Sequence, residues 1–268
     1  MAILKSVLLS TLGFGGAFST SSYSATILYT QNFENPVGFT VIGYYDVSSQ
    51  QVNDLYANQP VGFAFAQQFT VETISLKGGT AFGTGYTDSS GQGGNYSIAM
   101  LSTVQPDLLS LSFDVGAFDF LNFQLDVSRL GLDEINGSGG PFANGAPSFR
   151  FSLFDNPTGA LGLSGNGTLL STFDASGVDS VDNKTLNWTT LIAPLDAKNS
   201  TNGKVTLQID LLLGGYATMD NFIIAASNVA GDVTPPTNSV PDAGGTLALL
   251  SLGLAGTVLM ARRVRRVF

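Results

Sequence analysis

Leu109-Ser110-Leu111-Ser112-Phe113-Asp114-Val115 alternates apolar and polar side chains over its whole length. A period of two places alternate side chains on opposite faces of a β-strand. The stretch from Phe118 to Val127 continues the pattern, with Phe, Leu and Val set against Asp, Asn and Gln. We therefore expect two β-strands here, each with one face buried in a core.

Similar short runs recur along the chain, and Gly, Asn, Asp and Pro separate them. They cover residues 25–33, 63–65, 69–74, 148–154, 185–192, 204–211 and 218–225. No stretch keeps apolar residues at helical spacing for more than about three turns. About a dozen short strands with turn residues between them are typical of an antiparallel β-sandwich. We predict an all-β fold with one such domain over residues 26–231.

The composition excludes several kinds of chemistry. The chain has 268 residues with no Cys and no His, so thiol nucleophiles, disulfides, Cys-based metal sites and a Ser-His-Asp triad are excluded. Residues 26–240 carry 19 acidic and 6 basic side chains, a balance of −13. A body with this charge repels nucleic acid and anionic lipid, which we exclude as partners.

The N-terminus has the order of a secretory signal peptide. Lys5 supplies positive charge, residues 7–18 form an apolar run, and small residues follow from Ser19 to Ala25. The apolar run is too short to cross about 30 Å of hydrocarbon. We predict a signal peptide over residues 1–25, cleaved after Ser24 or Ala25, and an exported protein.

The C-terminus has three parts in sequence after a linker at residues 232–239. The first is the motif Val240-Pro241-Asp242-Ala243-Gly244, and the second is the uncharged segment 245–261. At about 1.5 Å per residue this segment spans about 25 Å, so we predict a transmembrane helix. Four arginines follow as a cytoplasmic stop-transfer signal: Arg262, Arg263, Arg265 and Arg266.

This C-terminal arrangement resembles the sorting signals of exosortase-dependent bacterial surface proteins. It is similar to the PEP-CTERM group, and to its variant with the motif Val-Pro-Asp-Ser-Gly, here with Ala243 at the fourth position. The resemblance implies that a membrane-embedded exosortase is the partner and cuts near residues 240–244. The body would then reach the cell surface or the extracellular matrix, and only the helix at 245–261 would hold it in the membrane before processing.

The first and last predicted strands resemble those of galactose-binding-type carbohydrate-binding modules. The quoted stretches are Thr30-Gln31-Asn32-Phe33-Glu34-Asn35 and Thr218-Met219-Asp220-Asn221-Phe222-Ile223-Ile224. The resemblance implies a jelly roll in which the two strands are neighbours and hold a structural Ca²⁺, with Glu34 and Asp220 as side-chain ligands. Ca²⁺ takes 6–8 oxygen ligands, which carboxylates and free carbonyls at strand ends can supply. In the alternative, both carboxylates are solvated strand-end groups.

Sugar binding requires an aromatic face on which a ring can stack, and Tyr44, Tyr45 and Trp188 are the candidates. Tyr44 and Tyr45 are consecutive, so on a strand they point to opposite faces. Alternation puts Trp188 on the same face as Leu186 and Thr190, which leaves core placement and exposure equally open.

No local signature pairs two carboxylates for glycan hydrolysis, so we predict that the protein is not an enzyme. The sequence favours an exosortase-sorted cell-surface or exopolysaccharide-matrix protein of structural or adhesive type. The alternatives are a carbohydrate-binding module that recognises matrix polysaccharide and a glycan-cleaving jelly-roll enzyme.

Overall fold

The computed structural model describes residues 25–40, 47–57, 59–60, 63–69, 71–76, 86–102, 107–130, 145–181 and 185–235. The signal peptide up to Ser24, the sorting signal 240–268, Tyr44 and Tyr45 lie outside the described residues. Within the described ranges, no helix has both the length and the apolar character that a membrane span requires.

The described chain is built of β-strands, as predicted. The strands are β1 Thr26–Gln31, β2 Val47–Ser48, β3 Phe65–Gln68, β4 Glu72–Ser75, β5 Tyr96–Leu101, β6 Leu108–Asp114, β7 Phe120–Arg129, β8 Ser148–Asp155, β9 Leu169–Ser176, β10 Thr189–Asp196, β11 Lys204–Leu213 and β12 Tyr216–Ser227. A four-residue helix α1, Val52–Leu55, and a 3₁₀ turn, Leu163–Asn166, accompany them. The pattern of residues 109–115 and 118–127 is realised in β6 and β7.

The strands form two antiparallel sheets. Sheet A has the order β10-β7-β12-β5-β4-β2, and β1 also pairs with β12. Sheet B has the order β3-β6-β11-β8-β9. The prediction of an antiparallel β-sandwich is confirmed, and the first and last strands are neighbours as expected.

The main core lies between the sheets and takes the inward set of each alternating strand. Leu109 and Leu111 of β6 are at most 1% exposed, as are Phe149 and Phe151 of β8. Phe123 of β7 meets Phe151 edge-to-face at 5.4 Å between ring centroids, which joins sheet A to sheet B. Burying such aromatic pairs stabilises the sandwich beyond the apolar area that each ring removes from water.

A second, smaller apolar cluster lies on the outer side of sheet A. Its buried members are Ile74, Leu76, Ala99, Leu130, Leu186 and Tyr216. Ala99 and Tyr216 alternate with the core residues Ile98 and Ala217, so they face away from the main core. This cluster holds the segments 86–95 and 185–188 against sheet A. The segment 86–95 is thereby fixed next to the end of β1, where Asn95 bonds Glu34.

Candidate functional site

β12 changes its partner on one side at Asp220 and Asn221. Residues Tyr216–Met219 pair with β5, whereas Phe222–Ala226 pair with β1. On the other side, the register with β7 shifts between Asp220 and Ile223, so that β12 carries one extra residue. This is a β-bulge, and it turns both Met219 and Phe222 toward the core.

The bulge needs a residue that tolerates a left-handed backbone. Asn221 supplies it with φ 51°, a conformation that Asn adopts more readily than most residues. Its side-chain amide donates to Gln92 O at 3.0 Å and to Asp126 Oδ2 at 2.9 Å. Asn221 therefore ties the bulge both to β7 and to the segment that precedes β5.

Glu34, three residues beyond β1, binds the same segment. Its Oε1 accepts the Asn95 N–H at 2.6 Å and the Tyr96 N–H at 3.3 Å, and its Oε2 accepts the Asn95 side-chain amide at 2.7 Å. Gly94 has φ +57°, and a Cβ at this position would clash with the Glu34 carboxylate. Only glycine combines this backbone conformation with so close an approach.

Asp88 organises the same segment from within. Its Oδ1 accepts the N–H groups of Ser90 and Gly91, and its Oδ2 accepts the Gly93 N–H at 2.9 Å. Burial acts to raise the pKa of Asp88, but hydrogen bonds from the Ser90 hydroxyl and from the Gly93 and Gly91 N–H groups outweigh it, so the pKa lies below its usual value. Two carboxylates, Asp88 and Glu34, thus hold this loop in place.

Asp220 is a buried carboxylate in an acidic environment. It is 1% exposed, and its Oδ1 accepts the Asn221 N–H at 2.6 Å. Burial raises its pKa from 3.8 to about 8, and the negative charges of Glu34, Asp126 and Asp88 add to the rise. The described ion pairs involve Arg129, Arg150 and Lys198, and none of them includes one of these four carboxylates.

The residues predicted as calcium ligands are therefore brought close enough to influence each other. Glu34 contributes to the raised pKa of Asp220. Carboxylate oxygens are ligands of the kind that Ca²⁺ takes, and a cation would favour the ionised form of the buried Asp220. Among the described residues, no group of three or more His, Cys, Asp or Glu has metal-binding geometry. A Ca²⁺ here would need backbone carbonyl and amide oxygens beside Glu34 and Asp220.

Trp188 lies in the smaller apolar cluster and is half-buried. A Cβ on Gly93 would clash with its indole ring and with Leu76. Trp188 thus packs over the loop held by Asp88 and is partly, not fully, available to a ligand.

A polar row crosses the outer face of sheet B and includes all five strands. The register pairs Gln68 with Leu108, Leu108 with Asp210, Asp210 with Arg150, and Arg150 with Asp174. Along β6, β8 and β11 the residues next to the row belong to the core, and along β9 Phe173 and Ala175 pack against it, so the row points outward. Gln68 shares this face because it is the register partner of Leu108. We call these five residues the sheet B row.

The charged residues of the sheet B row differ in their exposure to solvent. Arg150 and Asp174 form an exposed bidentate ion pair, with Nε to Oδ1 at 2.9 Å and Nη2 to Oδ2 at 2.8 Å. Asp210 is half-buried, and burial raises its pKa although Gln208 and Arg150 act in the opposite direction. The guanidinium therefore lies between two carboxylates and offers a rigid set of donors.

The segment 156–168 covers the neighbouring rows of sheet B. The Ser110 hydroxyl donates to Gly162 O at 2.9 Å, and the Ser164 N–H donates to Gln208 Oε1 at 3.0 Å. The Asn156 amide donates to Thr206 Oγ1 at 3.0 Å. The sheet B row therefore lies along one edge of the segment 156–168.

Neither the sheet B row nor the role of Asn95 was part of the sequence prediction. The sequence did indicate that Arg150 points away from the core, because alternation in the strand 148–154 places it on the other face from Phe149 and Phe151. The partners of Arg150 across the sheet depend on strand order, which no local pattern specifies.

No protein-family model matches the chain, and no curated protein matches it. Among solved structures, the CBM22-1 xylan-binding domain of Xyn10C from Paenibacillus barcinonensis has 14% identity and a TM-score of 0.39, over 78% of this chain and 100% of that one. The K3 cleaved adhesin domain of Lys-gingipain from Porphyromonas gingivalis has 11% identity and a TM-score of 0.37, over 75% and 99%. TmCBM61, solved with β-1,4-galactotriose, has 7% identity and a TM-score of 0.35, over 64% and 92%. These identities and TM-scores are too low to carry a conclusion about family, ligand or activity.

Proposed function

We propose that the chain is an exported, non-enzymatic surface or matrix protein whose β-sandwich binds polysaccharide across sheet B. The observation that carries this proposal is the sheet B row, a line of outward side chains over five adjacent strands. Four inter-strand spacings of about 4.8 Å give it a length of about 19 Å. An extended chain of several sugar units fits such a line better than a single small molecule does.

The chemistry of the row suits hydroxyl groups. Arg150 donates, Asp174 and Asp210 accept, and Gln68 does both. Leu108 lies between the polar groups and is half-buried, so it offers an apolar surface to the CH face of a sugar. Since residues 26–240 carry a charge of −13, we expect a neutral polysaccharide to bind better than an acidic one.

We further propose that a structural Ca²⁺ joins the end of β1 to the β12 bulge. Glu34 and Asp220 would supply carboxylate oxygens, and the ion would favour the ionised form of Asp220. This position lies in sheet A, so the ion would stabilise the fold and not touch a glycan on sheet B.

The location of the protein belongs to the same proposal. The signal peptide 1–25 would direct export, and an exosortase-type peptidase would process the C-terminal signal near Val240-Pro241-Asp242-Ala243-Gly244. The body would then remain at the cell surface or in the exopolysaccharide matrix, where polysaccharide binding gives an adhesive role. A jelly-roll strand connection is consistent with the pairing of β1 and β12.

Affinity electrophoresis and calorimetry on the full chain, in mild detergent, test this proposal with neutral polysaccharides such as xylan, galactan and β-glucan. We expect Arg150→Ala to weaken binding about tenfold, because it removes a charged hydrogen-bonding group. Lys198→Ala is the matched control, since it removes a cation from an exposed pair with Asp119 on sheet A.

Binding that is unaffected by Arg150→Ala would exclude sheet B as the binding surface. The wild-type protein must retain its β-type circular dichroism in this test. If it then binds none of the neutral or acidic polysaccharides, polysaccharide binding is refuted and only a structural role in the matrix is left.

A further inference from the structure

Two neighbouring cavities lie at the end of β1. The first has a volume of about 370 Å³ and is lined by Thr30, Gln31, Asn32, Asn221, Phe222 and Ile223. The second has a volume of about 330 Å³ and is lined by Gln31, Asn35, Tyr56 and Gln59. Gln31 lines both cavities, so they are adjacent, and we call the pair the amide trough.

The trough is rich in side-chain amides, and its described lining residues are all uncharged. Five of them carry an amide: Gln31, Asn32, Asn35, Gln59 and Asn221. Each amide offers an acceptor oxygen and two donor hydrogens. Such a lining suits a neutral ligand with several hydroxyl groups, and the nearby carboxylates of Glu34 and Asp220 disfavour an anion.

Several of these amide groups have few hydrogen-bond partners among the residues that the structure describes. Asn35 makes no side-chain hydrogen bond within the described chain, and Asn32 only accepts a long one from the Glu34 N–H at 3.4 Å. Gln59 accepts from the Tyr29 hydroxyl at 2.8 Å, and its NH₂ group donates to no described residue. Since these amides contribute few hydrogen bonds to the described fold, we interpret them as groups that bind a ligand.

The trough also has an apolar wall. Ile223 is half-buried, and it stands beside Thr30 in the register of β1 and β12. A pyranose ring has polar edges and apolar CH faces, so it matches a cavity with an amide rim and an aliphatic wall. A volume of about 370 Å³ admits a single ring with some of its water.

The backbone around the trough is held in an unusual conformation. Phe33 has φ 51°, which is a strained value for a bulky residue, and Asn221 across the trough has the same φ. Phe33 keeps this conformation because its ring packs edge-to-face on Phe222 and Tyr56, at 5.0 and 5.1 Å. Tyr56 also donates its hydroxyl to Phe33 O at 3.0 Å. Strain of this kind is concentrated at binding sites, where the surrounding structure enforces it.

We infer that the amide trough is a second saccharide site, which binds one neutral sugar unit independently of the sheet B row. The inference rests on the proposed function only for the class of ligand. The trough belongs to β1 and β12 of sheet A, and the sheet B row belongs to the opposite sheet. One domain with both sites can hold two polysaccharide chains, or the end of one and the middle of another.

Ligand-observed NMR on the full chain in mild detergent tests the inference, with D-glucose, D-galactose and D-xylose as the probes. The test variant is Asn32→Ala with Asn35→Ala, which removes two exposed amides. The control is Asn199→Ala, an exposed amide beyond β10. We expect at least one probe to bind, and we expect its Kd to rise about tenfold in the double variant and to stay unchanged in Asn199→Ala.

The outcomes separate this inference from the proposed function. Polysaccharide binding without binding of any monosaccharide overturns the trough, as does monosaccharide binding that the double variant leaves unchanged. Monosaccharide binding that the double variant weakens, in a protein that binds no polysaccharide at sheet B, supports the trough and overturns the proposed function. If the double variant loses its β-type circular dichroism, Asn35→Asp replaces it, because this change keeps the side-chain shape and is expected to weaken binding of the probe.

Discussion

Replacing Asp220 with Asn removes a buried titratable carboxyl group from the centre of sheet A. Asp220 is 1% exposed, and the described chain places no cation in an ion pair with it. Burial and the neighbouring carboxylates raise its pKa from 3.8 to about 8. The amide of Asn has nearly the same shape and can still accept the Asn221 N–H, so the substitution changes mainly the charge.

The sign of the effect follows from the pKa of Asp220 in the two states. Because the folded pKa exceeds the unfolded one, the metal-free folded protein keeps a proton between about pH 4 and pH 8 that the unfolded chain releases. The stabilisation is therefore complete below about pH 4 and is lost as the pH rises through 8. At about 1.4 kcal/mol per pKa unit, the loss is on the order of 5 kcal/mol.

A bound Ca²⁺ would change this dependence, because it favours ionised Asp220. A free concentration of 100 times the Kd adds about 2.7 kcal/mol to the free energy of unfolding. We therefore expect Ca²⁺ to stabilise the wild type at pH 9 and to have little effect on Asp220→Asn, which has lost one carboxylate ligand.

Urea unfolding followed by circular dichroism measures these effects at pH 5 and pH 9, in EDTA and in Ca²⁺. In EDTA we expect the wild type to lose stability relative to Asp220→Asn between the two pH values. Asp54→Asn in α1 is the control, because Asp54 is exposed. An equal pH dependence of the wild type and Asp220→Asn would refute the buried-charge reasoning, and equal responses to Ca²⁺ would refute the metal site.

Two further predictions concern other parts of the chain. Gly94→Ala should lower the free energy of unfolding by about 2–4 kcal/mol in thermal or urea melts, because the new Cβ meets the Glu34 carboxylate and φ is +57°. Gly91→Ala is its control, with φ +70° and open space around the Cβ, and should cost about 1 kcal/mol; equal losses would contradict the role of Glu34. Changing Pro241 and Asp242 to Ala should leave a full-length, membrane-retained form on an immunoblot of cell fractions, and normal processing of that variant would contradict the sorting signal.

The alternation of apolar and polar residues predicted the strands that have one face in the core and the other face toward water or toward a covering loop. β6, β7, β8 and β11 are of this kind, and their positions agree with the sequence prediction to within a few residues. β5 was not predicted, because Ile98 and Met100 face the main core while Ala99 faces the smaller cluster, so apolar residues occur on both faces. A strand buried on both faces loses the period of two.

The strand predicted at residues 185–192 lies instead at Thr189–Asp196. Leu186 and Trp188 alternate with polar residues, but they pack into the smaller cluster on the outside of sheet A. The local pattern left the burial of Trp188 open and was wrong about the element, since a loop packed against a sheet shows the same alternation as a strand. β9 was also missed, because it is an edge strand and its apolar residues are mostly half-buried or exposed.

The candidate sites depend on strand order and register, which are non-local. Glu34 and Asp220 were paired only through the resemblance to carbohydrate-binding modules, and the structure places them where β1 leaves β12. Arg150 and Asp174 are 24 residues apart and meet through the pairing of β8 with β9. Alternation states which face a residue is on, but it does not state which residues on that face are neighbours.

The β12 bulge explains why charge and amides concentrate at one place in this fold. Between the residues paired with β5 and those paired with β1, Asp220 and Asn221 have no partner in either ladder. Backbone groups at such a break must be satisfied by side chains or by a ligand. At this break the Asn221 N–H donates to Asp220, and the Asn221 side-chain amide donates to Gln92 O and Asp126. Polar residues are therefore required there even though the flanking residues Met219 and Phe222 face the core.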